Sequence, residues 1–165
     1  MEISIRPYRK EDVQPIVDII NYNILNSTAL YDYQPRTLEQ QEAIFEDKLK
    51  KGFPIIVAVI EDKVVGFGYY SEFRFREAYR FTVEHSVYVN NDFHSKGIGK
   101  VIMENLILLA KNQKLHTMIA VIDSENQSSV TFHEQFGFKT VAVLKETGFK
   151  FDRWLHSQLM QLMLE

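Results

Sequence analysis

The apolar residues of this chain change their period several times, and each change predicts an element. Ile3 and Ile5 alternate with Glu2, Ser4 and Arg6, which is the period of two of a short strand, and Pro7 stops it. Val13, Ile16, Val17, Ile20 and Ile24 share one helical face, with Pro15 tolerated near the first turn. Asn26 to Arg36 is polar and aromatic and reads as a loop. Thr37-Leu38-Glu39-Gln40 has the spacing of a capping box, which opens a second helix through about Lys50 that Gly52 ends. Ile55 to Ile60 and Val64 to Tyr70 make a hairpin around Glu61-Asp62-Lys63; Gly66 and Gly68 mark a bulge or a close backbone approach.

The middle of the chain carries the sharpest switch. Phe81, Val83, Val87 and Val89 alternate with Thr82, Glu84, Ser86 and Tyr88, which predicts a strand. From Ile98 the stripe Ile102, Leu106, Leu109 and Ala110 is helical, so Gly97 and Gly99 sit where a loop becomes a first turn. A further buried strand follows at His116 to Ile122. Val130, Phe132, His133 and Phe136 lie on a short helix that Gly137 ends. A strand from Lys139 to Leu144, a turn at Glu146-Thr147-Gly148 and a last strand from about Lys150 to Met163 complete the chain. This order predicts a mixed α/β layer architecture.

Length and composition narrow the classes. At 165 residues the chain fits one domain, residues 1–165, with a substantial core. A net charge of -3 with mixed signs gives no reason to expect a nucleic-acid or anionic-membrane partner. The absence of cysteine removes disulfides, thiolate metal sites and a cysteine nucleophile. The start lacks the apolar core of a signal peptide, and the longest apolar run, Pro54 to Ile60, falls far short of the ~20 residues that span a bilayer. A soluble, cytoplasmic protein is expected. His85, His94, His116 and His156 have no paired spacing that suggests a metal.

Two features carry candidate chemistry. A helix entered through Gly97 and Gly99 presents unpaired amides, which attract anions, although such a pair of glycines is more often plain turn chemistry. Glu84 lies inside a strand, where glutamate is disfavoured and costly to bury unpaired. It reads as a general base, as one half of a structural ion pair with Arg76 or Arg80, or as both.

The string VYVNNDFHSKGIGK resembles the cofactor motif of the GCN5-related N-acetyltransferases (GNATs), with His94 where that family has Arg or Gln. AYRFTVEHSVYV, NQSSVTFHEQFGF and GFKFDRW resemble the matching segments of phosphinothricin and methionine-sulfoximine acetyltransferases, in the same order. The resemblance implies a mostly antiparallel sheet flanked by helices on both faces, and acetyl transfer from acetyl-CoA to a small amine, with no metal and in a homodimer. It implies cofactor contacts along Val87, Tyr88 and Val89, at Ser95, Lys96, Gly97, Ile98, Gly99 and Lys100, and from Asn126, which could also be a plain N-cap. It implies acceptor contacts from Tyr31, Arg74, Arg76, Tyr79 and Glu84. Glu84 becomes the general base, the Val87 amide the oxyanion donor, and His133 a general acid or substrate contact.

Overall fold

A computed structural model describes residues 1–165. Its main elements in order are β1 (Ser4–Pro7), α1 (Val13–Asn26), α2 (Leu38–Lys50), β2 (Ile55–Ile60), β3 (Lys63–Glu72), β4 (Thr82–Val89), α3 (Ile98–Asn112), β5 (Thr117–Asp123), α4 (Gln127–Glu134), β6 (Lys139–Lys150) and β7 (Arg153–Met163). The strands form one sheet in the order β1-β2-β3-β4-β5-β7-β6. Only β4 and β5 run parallel.

The sheet is covered on both faces. On one, Ile16, Ile20 and Ile24 of α1 and Phe45 of α2 pack on Val57 and Phe67. On the other, Ile98, Ile102 and Leu106 of α3 and Val130 of α4 pack on Val65, Tyr70 and Val83. The mixed, mostly antiparallel architecture with helices on both sides is therefore the one that forms.

Local chemistry explains several boundaries. Thr37 caps α2 by accepting from the Gln40 amide at 3.1 Å, while the Gln40 side chain accepts from the Thr37 amide, so the capping box closes. Gly68 is a close approach. A Cβ there would stand 2.5 Å from Ile102 Cγ2, so α3 lies against bare backbone of β3. The hairpin also carries a bulge in β3: Ala58↔Gly66 is followed by Val59↔Val64, which leaves Val65, next to Gly66, as the extra residue.

The C-terminal strands differ from the sequence expectation. β6 does not end at Leu144; it passes a bulge between Leu144 and Gly148, where Glu146 takes φ 55°, and continues to Lys150. The hairpin turn is Phe151-Asp152, with φ of 52° and 60°. Positive φ at both positions is the type I′ two-residue turn, and phenylalanine does not advertise it.

The feature that matters most is where pairing stops. β4 and β5 are paired only at Thr82↔Thr117, Val83↔Met118 and Glu84↔Ile119. Beyond that, β4 continues on β3 as far as Gly66↔Val89, and β5 follows β7 as far as Asp123↔Ser157. A gap opens inside the sheet.

Candidate active site

The direction of the backbone groups in that gap follows from register. Asn90 N donates to Val65 O at 2.8 Å and Phe73 N to Thr82 O at 3.3 Å, which fixes Phe67↔Tyr88, Tyr69↔Ser86 and Ser71↔Glu84 as the hydrogen-bonded pairs between. In an antiparallel ladder the alternate residues turn their N–H and C=O the other way. Val87 and Val89 therefore present main-chain groups to the gap. Tyr88 does not: its backbone serves β3, and its ring packs at 5.3 Å on Phe67, on the α1 and α2 side. Burial raises its pKa.

The loop that follows bends twice through the left-handed region, at Ser95 (φ 62°) and Gly97 (φ 77°). None of the six amides from Ser95 to Lys100 donates to a protein acceptor; the first bond of α3 is Val101 N to Gly97 O at 3.2 Å. These free donors coincide with the positive end of the helix dipole, and Lys96 and Lys100 stand exposed beside them. His94 spends its side chain differently from a phosphate ligand, because its Nε2 lies 3.0 Å from Val89 O. That contact ties the loop to β4 and removes one gap-facing carbonyl.

Asn126 is an N-cap that keeps part of its side chain free. Its Oδ1 caps α4, accepting from Ser129 N at 3.1 Å and Ser128 Oγ at 2.9 Å. Its Nδ2 has no partner within the protein. Ser95 to Lys100, the gap-facing groups of Val87 and Val89, and that amide suit an extended ligand ending in a diphosphate.

Glu84 projects to the α1 and α2 side, opposite Ser71 on β3. It forms neither an ion pair nor a hydrogen bond with a protein group. Burial raises its pKa, and the positive charges of Arg74 and then Lys48 partly offset that. The alternative ion pair with Arg76 or Arg80 does not form: Arg76 stacks on Phe75 at 4.8 Å and Arg80 on Phe81 at 4.5 Å. Arg74 lies over Phe73 at 4.9 Å, and Tyr79 meets the same ring edge-on at 6.0 Å. Arg74 is thus brought into electrostatic reach of Glu84, whereas Arg76 and Tyr79 stay on the exposed rim.

Tyr31 belongs to the loop between α1 and α2, which is tied down at several points. Lys150 Nζ donates to Ser27 O at 2.8 Å and also to Leu30 O, Tyr33 hydroxyl donates to Phe149 O, and Thr28 Oγ1 donates to Asp123 Oδ2 at 2.6 Å. The Tyr31 ring lies on Gly148. Close by, Ile24, Leu25, Tyr33 and Phe149 to Asp152 line a cavity of about 220 Å³, away from the glycine bend.

His133, expected as a general acid or substrate contact, packs inside the protein. It is buried, its Nδ1 lies 2.7 Å from Ser129 O, and its Nε2 lies 3.0 Å from His85 Nε2. With both nitrogens engaged it offers no free proton to a ligand. Burial lowers the pKa of His133, and burial together with His133 lowers that of His85 to about 3, so the pair is neutral at physiological pH.

Two residues near the site were not legible as functional. Lys48 stands 3.3 Å from Ser71 Oγ and 4.7 Å from the Tyr69 ring centroid, half-buried beside Glu84 with no carboxylate on its ammonium. In sequence it is one more lysine in a helix's last turn. His85 alternates with Val83 and Val87 on a core face; that apolar setting was the only signal. No group of three or more metal-binding side chains comes together.

Known proteins share this fold. The family model for the acetyltransferase (GNAT) domain matches residues 5–159. The chain belongs to the GNAT acetyltransferases. Within them it is 38% identical to the L-methionine sulfoximine/L-methionine sulfone acetyltransferase of Pseudomonas aeruginosa, over all of this chain and 96% of that one. It is 36% identical to the L-amino acid N-acyltransferase MnaT of Escherichia coli, over 99% and 95%. A GNAT phosphinothricin acetyltransferase from Sinorhizobium meliloti, solved in complex with acetyl-CoA, superposes with a TM-score of 0.96 at 35% identity, covering 99% of this chain and 89% of that one.

Proposed function

We propose that this GNAT acetylates the α-amine of a small amino-acid-like acceptor, with methionine sulfoximine, methionine sulfone and phosphinothricin as the leading acceptors. The observation that carries the reading is the coincidence of free loop amides, a strand gap and an unpaired, half-buried carboxylate along one strand and its loop. Relatives bearing those acceptors in their names match over nearly their whole length.

In this reading acetyl-CoA contributes an acetyl group activated as a thioester. The amides of Ser95 to Lys100, with Lys96 and Lys100 beside them, hold its diphosphate, and Val87, Val89 and Asn126 hold the arm. Glu84 accepts the ammonium proton of the acceptor, directly or through water, which frees the nitrogen lone pair. Its raised pKa makes it a better base than an exposed glutamate. The Val87 N–H donates to the carbonyl oxygen as negative charge builds there, a contribution typically worth ~3 kcal/mol. Arg74 forks onto the acceptor's carboxylate or phosphinate, Tyr31 roofs it, and Arg76 and Tyr79 close the rim. With both nitrogens of His133 engaged, the C–S bond breaks as the C–N bond is completed, and the departing thiolate receives through water the second proton that the nitrogen loses on becoming an amide.

The roof gives a selective test. A Cβ on Gly148 would lie 2.5 Å from Tyr31 Cε2, so Gly148→Ala must swing that ring aside. The KM of the acceptor is expected to rise about tenfold, the loss of one well-placed contact, while that of acetyl-CoA stays unchanged. Steady-state kinetics in both substrates checks it.

Homodimerisation belongs to the same reading. Val141, Val143, Phe149, Phe151 and Trp154 leave the β6–β7 hairpin with exposed apolar side chains, while Leu155 joins the core. Light scattering on the purified protein should give twice the chain mass, and Trp154→Glu should halve it.

Thiol release from acetyl-CoA, followed across free amino acids, the three named acceptors, polyamines and short peptides, tests the function itself. The named acceptors are expected to give the highest kcat/KM. Preference for peptides would replace this reading with acetylation of a protein N-terminus, and binding without release on any amine would replace it with an acyl-CoA sensor.

A further inference from the structure

The gap between β4 and β5 opens immediately past Glu84↔Ile119, and the residue at that vertex is His85. Its ring reaches two other elements. Nδ1 lies 3.3 Å from Ile119 O on β5, and Nε2 lies 3.0 Å from His133 Nε2 on α4. Phe138 closes over both rings, at 5.4 Å from His85 and 5.3 Å from His133.

Protons can be assigned by counting. Three contacts of 3.3 Å or less join this pair to its surroundings and to itself, a fourth from Ser129 Oγ to His133 Nδ1 is long at 3.5 Å, and two neutral imidazoles bring two N–H groups. Ser129 O can only accept, and it is the nearest, at 2.7 Å, so His133 carries its proton on Nδ1. His133 Nε2 is then an acceptor, and His85 must donate from Nε2. The contact left without a proton is the longest of the three, His85 Nδ1 to Ile119 O. Geometry and proton count agree.

The pair also touches the cofactor side through its neighbour. Phe132, next to His133 on α4, packs where a Cβ on Gly99 would be 3.6 Å from its ring, and Asn126 caps the other end of the same short helix. Fixing His133 therefore fixes α4 against β4, and with it both Phe132 at the glycine bend and Asn126 at the entrance.

We propose that His85 and His133 are positioning residues: a directed hydrogen bond from His85 Nε2 to His133 Nε2 pins α4 at the vertex of the strand gap and so sets the affinity for acetyl-CoA. This rests on the reading that acetyl-CoA lies in the gap, and it assigns His133 no proton transfer to the reaction.

Two measurements test it. In the wild-type protein, nitrogen-15 NMR of the histidine rings at pH 7.5 is expected to show His133 protonated on Nδ1 and His85 on Nε2, both neutral. The opposite tautomers, or an imidazolium at either ring, overturn the proposal without reference to activity. Calorimetry with acetyl-CoA then compares His133→Leu with His133→Gln, whose amide oxygen can still accept from His85 Nε2. Loss of one buried hydrogen bond should weaken binding about tenfold in the leucine variant, with kcat within about threefold, and glutamine should restore most of it. Equal Kd values in wild type and leucine variant, or no rescue by glutamine, refute it; so does a kcat loss at unchanged Kd with a shifted alkaline limb, which would make His133 the acid. A wild type that does not bind acetyl-CoA would instead refute the function assigned to the gap.

Discussion

Glu84→Gln is expected to lower kcat by about 10²- to 10⁴-fold, the range for loss of a positioned general base, while Kd for acetyl-CoA stays within about twofold. The same substitution should not lower Tm. Burial raises the pKa of Glu84 in the folded chain above that of the unfolded one. Where folded pKa exceeds unfolded pKa for a carboxyl group, ionisation costs stability as pH rises through that window, and the cost persists at neutral pH. Neutral glutamine removes it. A glutamate kept for structure would give the reverse pattern, a lower Tm with little change in kcat. The pH profile carries the same sign: kcat/KM should rise with pH along a limb displaced above the usual carboxylate range. Because Arg74 is the larger of the two opposing charges, Arg74→Gln should move that limb to still higher pH, beyond weakening the acceptor.

Removing one main-chain donor from the glycine bend is the second large effect. Lys100 lies in the first turn of α3, where its amide has no protein acceptor and a proline ring meets no intrahelical carbonyl. Lys100→Pro should therefore fold, yet bind acetyl-CoA about 10- to 100-fold more weakly than Lys100→Ala, since hydrogen bonds to charged groups contribute about 1.5–3 kcal/mol. The alanine control removes the ammonium and its long contact of 3.9 Å to Glu104, so the difference between the two variants isolates the N–H. Equal affinities would mean that the diphosphate is held by side chains. Calorimetry on both variants, with circular dichroism to verify the helix, decides between these.

How much of this was legible in the sequence depended on whether local chemistry or distant partners controlled each feature. The alternation through Val83, Val87 and Val89, the helical stripe from Ile98 and the capping box at Thr37 are local, and each became the element it predicts. Gly97 was legible because few residues other than glycine enter a helix at φ 77°. The hairpin at Phe151-Asp152 was hidden because tertiary contacts, including the Tyr33 hydroxyl on Phe149 O, hold a turn whose residues do not favour it. Within the site, Glu84 stood out by being a charge on a strand. Lys48 did not, since only the packing of α2 over Tyr69 and Ser71 gives it a place beside Glu84. The setting of His133 was hidden for the same reason. Its partner is 48 residues away in sequence, and no spacing rule reveals a contact made by two elements meeting at the end of a strand pairing.

The central claim is that a thioester ligand lies in the gap beside β4 with its diphosphate on the amides of the glycine bend. Titrating acetyl-CoA into nitrogen-15-labelled protein reads those amides directly. The account predicts large, saturable shifts at the amides of Val87, Val89 and Ser95 to Lys100, with Tyr88 moving less because its N–H is committed to β3. Saturable shifts confined to other surfaces, such as the cavity between α1 and the β6–β7 hairpin, with the six loop amides unmoved, would contradict it.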